Sequence, residues 1–313
     1  MTGVSTAVVL AGGKGTRLAS AFPDLAKPMV PVDGLPIAEH LVRTYAAQGV
    51  RRFIFTLGHR GEQLRDHFGD GSAWGVAISY FEEVEPLGTA GALAELQSEL
   101  GSAPFWVFYA DTLSSIDLGR MEAFHRQHGA EATLLVHPND HPYDSDLVDA
   151  EPSGRIRAVY GKPHPADREV RNVVNAALYL FEPGLLNQIP RGTASDFGRD
   201  LFPKWATSHK LYAYSTPEYI KDMGKPERRT QVEDALRSGT LAAPVVFAAA
   251  NAAKSVAKLV VKGRAPKTGY DRELFSDGWA KIGSCDARNY VLARDLKNIS
   301  WRAGETCIVE SGV

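Results

Sequence analysis

Cysteine is nearly missing from this 313-residue sequence, and its two copies, Cys285 and Cys307, both fall near the C-terminus. A long apolar run is missing too. The most apolar stretch, Leu241–Val261, is broken by Pro244, Asn251, Lys254 and Lys258, short of the roughly 20 clean apolar residues a membrane span requires. The first twenty residues show neither a basic leader ahead of an apolar core nor a small-residue cleavage site, so the protein is expected in the cytoplasm. There the two cysteines are expected to be free thiols, and two alone do not make a metal site. No sign of charge dominates: 35 Lys and Arg stand against 37 Asp and Glu, a net charge of −2, and nothing in that balance points to nucleic acid. No internal repeat or low-complexity tract is visible. What is there, 44% hydrophobic and 23% charged residues, describes a globular chain long enough for one large or two modest domains.

The composition is uneven along the chain. Residues 240–313 hold 11 Lys and Arg against 7 Asp and Glu, which leaves residues 1–239 at −6, and all nine histidines lie at or before His209. In the first part, short β-branched or aromatic runs alternate with helical patterns. Ala7–Leu10 precedes Ile37–Gln48, Arg52–Leu57 precedes Gly61–Phe68, Val76–Phe81 precedes Ala90–Leu100, and Phe105–Tyr109 precedes Leu118–His128. This alternation predicts a doubly wound α/β fold, with a mostly parallel, Rossmann-like sheet and helices on both faces. From Glu131 the text turns strand-rich, at Ala132–Val136, Ile156–Tyr160 and Ala176–Phe181, as a substrate-covering subdomain would be. A helix from Phe197 to Trp205, a strand at Leu211–Tyr214 and a helix from Pro226 to Leu236 close this unit at Ser238-Gly239. Residues 240–262 then read as a connecting helix with Val246, Ala249, Ala253, Val256 and Val260 along one side, suited to docking on the core or to homo-oligomer formation. Residues 263–313 form a C-terminal appendage that opens with the basic, turn-rich Gly263–Gly269.

Directly after the first strand stands Leu10-Ala11-Gly12-Gly13-Lys14-Gly15-Thr16-Arg17-Leu18. Glycines allow close backbone approach, successive N–H groups form an anion nest, and Arg17 offers a bidentate fork to phosphate oxygens. A glycine-rich turn alone is about as often a plain tight connection. This one lacks the Gly-Lys-Ser/Thr of a Walker A loop, and Leu18 stands where a dinucleotide fingerprint needs glycine or alanine. Ala26-Lys27-Pro28-Met29-Val30-Pro31-Val32 follows. A lysine before proline is by itself a solvated surface residue. Together, the nonapeptide and the Lys27 segment resemble the two signature motifs of the sugar-1-phosphate nucleotidyltransferase family, which includes thymidylyl- and guanylyltransferases.

The resemblance runs over residues 4–238 and implies a site. Glu85-Pro86-Leu87-Gly88-Thr89-Ala90-Gly91-Ala92-Leu93 is similar to the family's base-contacting loop, with Gly88 and Thr89 as nucleotide contacts beside Leu10, Ala11, Gly12, Gly13, Gly15 and Thr16. Gly88-Thr89 also reads as the N-cap of the helix Ala90–Leu100. Asp111 follows the strand Phe105–Tyr109, and a carboxylate at a strand's carboxyl end faces the ligand crevice of an open α/β sheet. The family has Gly-Asp there, so Ala110 is a departure. Tyr219-Ile220-Lys221-Asp222-Met223-Gly224-Lys225-Pro226-Glu227 resembles a late Asp-x-Gly-Thr-Pro-Glu motif, with Lys225 in place of threonine. Asp111 and Asp222 are thereby implied to hold Mg²⁺, which takes one or two carboxylates plus substrate phosphates. Tyr160-Gly161-Lys162-Pro163 and Asn175-Ala176-Ala177 resemble the family's Glu-Lys-Pro and Asn-Ala-Gly motifs, which makes Lys162 and Asn175 sugar-phosphate contacts. Gly161 stands where many members carry a glutamate, and Ala177 where glycine is usual.

The implied partners are a nucleoside triphosphate and a sugar-1-phosphate, with Arg17, Lys27 and Asp111 catalytic. The segments Ile220–Arg228, Asp196-Phe197 and Asp200–Pro203 look most like the heptose-1-phosphate and mannose-1-phosphate guanylyltransferase branch, which implies GTP. Two alternatives stay open: a thymidylyl- or uridylyltransferase of the same fold, and an inactive nucleotide-sugar-binding regulator, given the departures at Ala110, Gly161, Ala177 and Lys225. After Gly239 the text changes. Val261–Arg272, Gly278-Trp279 and Cys285–Leu296 resemble the front half of a secreted HNH-nuclease-like family, in which the resemblance implies paired cysteines and a histidine-bearing motif that comes later. An HNH site needs histidine as base and ligand, residues 240–313 have none, and nuclease activity is therefore not expected. Arg264, Lys267, Arg272, Arg288 and Arg294 read as a solvated basic surface.

Overall fold

Strands that carry apolar residues toward both faces, rather than toward one, set the middle of the sheet. The computed structural model describes residues 2–13, 21–139, 142–164, 170–224, 226–238 and 241, with four short strands between Lys281 and Ser311. In chain order β1 (Thr6–Leu10) leads to a hairpin of β2 (Pro31–Val32) and β3 (Leu35–Pro36), then α1 (Ile37–Gln48), β4 (Arg52–Leu57), α2 (Glu62–Phe68) and β5 (Ala77–Glu82). Helices α3 (Gly88–Glu95) and α4 (Gln97–Leu100) precede β6 (Phe105–Tyr109), β7 (Thr112–Ser114) and α5 (Leu118–His128). Next come β8 (Ala132–His137), β9 (Leu147–Ala150), β10 (Ile156–Tyr160) and β11 (Val174–Phe181). A π-helical turn Phe197–Leu201 opens onto α6 (Phe202–Ser208), β12 (Leu211–Ser215), β13 (Ile220–Asp222) and α7 (Pro226–Arg237).

Nine strands make one sheet in the order β10-β9-β11-β6-β1-β4-β5, with β8 paired to β11 and β12 to β8. The expected parallel block is β6-β1-β4-β5. Beyond it β11 runs antiparallel to β6, β8 and β9, so the strand-rich half is mixed. Both faces of the block are covered. Ala7, Val9, Phe53, Phe55, Trp106 and Phe108 pack against α1, α2 and α5, while Val8, Ile54, Phe105 and Val107 pack with α3, the π turn and α6. Alternate residues of each strand thus enter different cores, which is why these strands carry no polar alternation. A third, small cluster joins Val30, Val32, Leu113 and Met223 to Val232, Ala235 and Leu241.

Several boundaries differ from the sequence reading. The helix expected over Ala90–Leu100 starts at Gly88 and is broken at Leu96, and the one expected from Phe197 starts as a π turn. Strands β7, β9 and β13 are three or four residues long, too short to show a period. The chain divides into two compact units, Met1–Asn251 and Ala252–Val313. In the second, Lys281–Ile282 pairs with Cys285–Asp286, and Ser300–Trp301 with Val309–Ser311, both antiparallel. The connecting helix beyond Leu241, the Cys285 and Cys307 side chains and the basic residues of the tail lie outside the described residues, as do Gly15, Thr16, Arg17 and Lys225. No described helix is long and apolar enough to cross a membrane.

Candidate active site

The chain leaves β1 toward β4 and β5 on one side and returns to β6 on the other, so the direction of winding switches between β1 and β6. Ligands of open α/β sheets bind at the carboxyl ends of strands at such a point. Leu10 and Ala11 end β1 there, and Ala11 N donates to Thr56 O at 3.1 Å. Gly12 is pressed against Gly58, the first residue after β4: a Cβ added at Gly58 would lie 2.4 Å from Gly12 O. Gly58 therefore fixes the course of the loop, a role the sequence reading missed.

Lys27 lies in a single helical turn, Lys27–Met29, held by Gln63 of α2, whose Oε1 accepts from Ala26 N at 2.8 Å. Its ammonium forms an ion pair with the Asp111 carboxylate. Asp111 follows β6, where the small, buried Ala110 donates its N–H to Leu10 O at 3.1 Å and keeps the chain close to β1. Strands β7 and β13 pair with Asp222 opposite Thr112, and Met223 N donates to Asp111 O at 2.8 Å. These pairings bring Asp222 beside Asp111 across more than a hundred residues of sequence. The Asp222 carboxylate accepts from Gly224 N at 2.9 Å and pairs with the buried Arg228, whose other nitrogen lies 3.6 Å from Asp144. Arg228 adds a cation to Lys27 and Lys162, one that residue type and spacing did not single out.

Gly88 takes φ +72°, and a Cβ there would meet Ser195 O at 2.5 Å. Ala90 N donates to that same oxygen and Ser195 N to Leu87 O, each at 2.9 Å. Thr89 does not cap the helix, since the N-cap residue is Leu87 and makes no side-chain cap. Its hydroxyl bonds Asp196 Oδ2 at 2.8 Å and accepts from Phe197 N at 3.0 Å, tying the loop to the π turn. Tyr109 and Tyr179 hydrogen-bond each other in the core, Tyr109 reaches Thr89, and Asn175 Nδ2 donates to Tyr179 Oη at 2.9 Å. Burial pushes both phenols far above their ordinary range, so they serve as neutral hydrogen-bonding groups.

Two cavities meet here. One, about 480 Å³, is bounded by Gly12, Gly13, Lys27, Glu83, Pro86 and Gly88, with Val84 almost fully exposed on its rim. The other, about 490 Å³, is bounded by Lys162, Asn175, Ala177, Asp146, Asp222 and Arg228. Thr89, Tyr109 and Asp111 line both. In the first, burial raises the Glu83 carboxyl above its usual range, although Leu87 N donates to it at 2.9 Å. In the second, Lys162 Nζ donates to Asp144 O at 2.7 Å. Asn175 and Ala177 occupy a break in the β11 register, where Ala177 N donates to Asn175 Oδ1 at 3.2 Å and Ala177 takes φ +58°. Of the expected site residues, Leu10, Ala11, Gly12, Gly13, Lys27, Gly88, Thr89 and Asp111 border the first cavity, and Thr89, Asp111, Lys162, Asn175 and Asp222 the second.

The doubly wound sheet thus brings a glycine-turn cavity, a carboxylate pair and a polar cavity together at one switch point. The profile of the nucleotidyl transferase family matches residues 6–287, past residue 238 where the motif resemblance ends. The chain belongs to the nucleotidyl transferase family. It is 37% identical over 226 residues to a mannose-1-phosphate guanylyltransferase of Mycobacterium tuberculosis, covering 71% of this chain and 61% of that one. It is 35% identical over 228 residues to a probable mannose-1-phosphate guanylyltransferase 2 of Arabidopsis thaliana, covering 70% and 62%. The chain thus spans about three fifths of the length of these relatives. Among solved structures, HddC from Yersinia pseudotuberculosis superposes with a TM-score of 0.64 at 24% identity, over 74% of this chain and 99% of that one. A UDP-glucose pyrophosphorylase complexed with UDP-glucose gives 0.65 at 18% identity, over 75% and 99%.

Proposed function

We propose that the chain transfers a nucleotidyl group from a nucleoside triphosphate to a sugar-1-phosphate and releases pyrophosphate. The observation that carries this reading is the meeting of two cavities at Asp111, one of glycine-loop type and one polar, with Lys27 and Lys162 on opposite sides. Guanylyl transfer to mannose-1-phosphate or a heptose-1-phosphate is the preferred form, supported by the guanylyltransferase relatives. Glu83 adds to it: a carboxylate accepts hydrogen bonds, and guanine presents neighbouring N1–H and N2–H donors.

A phosphate monoester loses its second proton near pH 6, so the sugar phosphate arrives as a nucleophile without a general base. Its oxygen attacks the α-phosphorus, the bond to the bridging β-phosphate oxygen breaks, and pyrophosphate leaves with the electron pair. Lys27, with Arg17, stabilises charge on the triphosphate, Lys162 holds the attacking phosphate, and Gly12, Gly13, Gly88 and Thr89 position the nucleotide. Asp111, directly ahead of β7, and Asp222, on its partner strand β13, fit Mg²⁺, because they are hard oxygen donors that both line the sugar-side cavity. Two carboxylates are the number of protein donors Mg²⁺ ordinarily takes when substrate phosphates and water complete its shell. Such an ion would supply charge neutralisation on the phosphates. Residues 263–313 are proposed to be a non-catalytic appendage.

Incubation of the protein with Mg²⁺, each of four nucleoside triphosphates and several sugar-1-phosphates tests the reading. Pyrophosphate release is expected and should be greatest with GTP. Silence across the panel removes the enzyme assignment in favour of a binding role.

A further inference from the structure

The sugar-side cavity contains a carboxylate that none of the motifs accounts for. Asp146 directly precedes β9 and reaches across two positions that have no side chain. A Cβ added at Gly198, in the π turn, would lie 1.8 Å from its Oδ2, and one added at Gly161 would lie 3.8 Å from its Oδ1. Glycine at 198 is therefore a condition for the carboxylate to lie where it does, and bare Gly161 leaves the space beside it open. The placement is held from β11: Asn175 N donates to Asp146 O at 2.9 Å, and the Asn175 side chain hydrogen-bonds the carboxylate. Desolvation, with the neighbouring Asp196 carboxylate, raises the Asp146 carboxyl above its ordinary value, while the Lys162 ammonium and the Asn175 hydrogen bond oppose that rise.

Charge sign dictates what this group can meet. An ionised carboxylate only accepts hydrogen bonds and repels phosphate. A sugar-1-phosphate entering this cavity is thus oriented with its phosphate toward Lys162 and its hydroxyl-bearing ring toward Asp146. We propose that Asp146 is the specificity-determining residue for the sugar, accepting hydrogen bonds from ring hydroxyls over the bare Gly161. This inference rests on the nucleotidyl-transfer reading and deepens it.

The test is initial-rate kinetics of the full chain with GTP, Mg²⁺, mannose-1-phosphate and its monodeoxy analogues, comparing wild type with Asp146→Asn and with Asp146→Gly/Gly161→Glu. Asp146→Asn should raise KM for the sugar phosphate about 10- to 100-fold, the loss expected for a charged acceptor, while KM for GTP stays within about twofold. At least one deoxy analogue that is a poor substrate for wild type should lose that disadvantage in Asp146→Asn, a readout that a structural role would not move. The double variant, which moves the carboxylate to the neighbouring position, should recover part of the lost affinity. Should Asp146→Asn fail to fold by circular dichroism, Asp146→Ser carries the same comparison. An active wild type with an unchanged sugar-phosphate KM in the variant overturns the Asp146 assignment alone, as does an equal rise in both KM values. A wild type that releases no pyrophosphate with any pair overturns the transfer reading, and this inference with it.

Discussion

Ala177 holds φ at +58° without being glycine. An L-residue in the left-handed region is strained by about 1–2 kcal/mol, part of which glycine would return as extra freedom of the unfolded chain. Ala177→Gly should therefore stabilise the fold by about 0.5–1 kcal/mol in urea titrations, with transfer retained. Asp111 and Asp222, unlike Ala177, are expected to act on turnover and not on the fold. Asp111→Asn and Asp222→Asn should each lower kcat by about a hundredfold or more in a pyrophosphate-release assay, as loss of a preorganised charge-stabilising group does, while thermal unfolding stays cooperative. Near-normal turnover at saturating Mg²⁺ would remove the ligand role from that residue. Lys27 and Asp111 are also bound to each other, so their losses will not add. The Lys27→Met/Asp111→Asn double variant should be impaired by less than the product of the single effects, and strict additivity would show that the ion pair has no energetic part in the site.

At the scale of elements, α5 anchors the N-terminal segment that leads into β1. The buried Glu122 accepts from Gly3 N at 2.6 Å, from Val4 N at 3.3 Å and from the Thr2 hydroxyl, and it pairs with Arg126. Burial raises its carboxyl, but these hydrogen bonds and Arg126 outweigh burial and hold it below its ordinary value of 4.5. A depressed carboxylate stabilises fully above the unfolded-state value and loses that contribution as pH falls through the folded one. Glu122→Gln should cost about 1.5–3 kcal/mol at pH 7, and the gap from wild type should shrink below pH 4.5 when denaturant midpoints are compared.

The same scale explains what was legible in the sequence. Lys27, Asp111 and Asp222 stood in local motifs, and the parallel block was written in continuous apolar runs. Asp146, Gly58 and Arg228 were not legible, because their roles come from backbones and carboxylates that meet only after folding. Thr89 was misread as a cap because its partner, Asp196, lies 107 residues away in the chain. Short β7 and β13 carried no period, yet they are what brings Asp222 to Asp111.

For the whole molecule, the first compact unit runs to Asn251 and contains every described site residue. A chain ending at Asn251 is expected to keep kcat/KM within about threefold, which is under roughly 0.7 kcal/mol in transition-state terms. Ending it at Gly239 removes Leu241 from its cluster with Val232 and Ala235, and should lower the midpoint of unfolding as loss of about 1.5–3 kcal/mol of apolar burial would. A folded Asn251 variant with activity reduced a hundredfold would assign the C-terminal unit a catalytic part. The shared wall of the two cavities has a thermodynamic corollary. Thr89, Tyr109 and Asp111 each face both chambers, so a ligand that orders them on one side alters the free energy of occupancy on the other. On the proposed reading, whatever factor the sugar phosphate imposes on nucleotide affinity, the nucleotide must by linkage impose on sugar-phosphate affinity. The sequence in which the two substrates enter is then a property of rates alone.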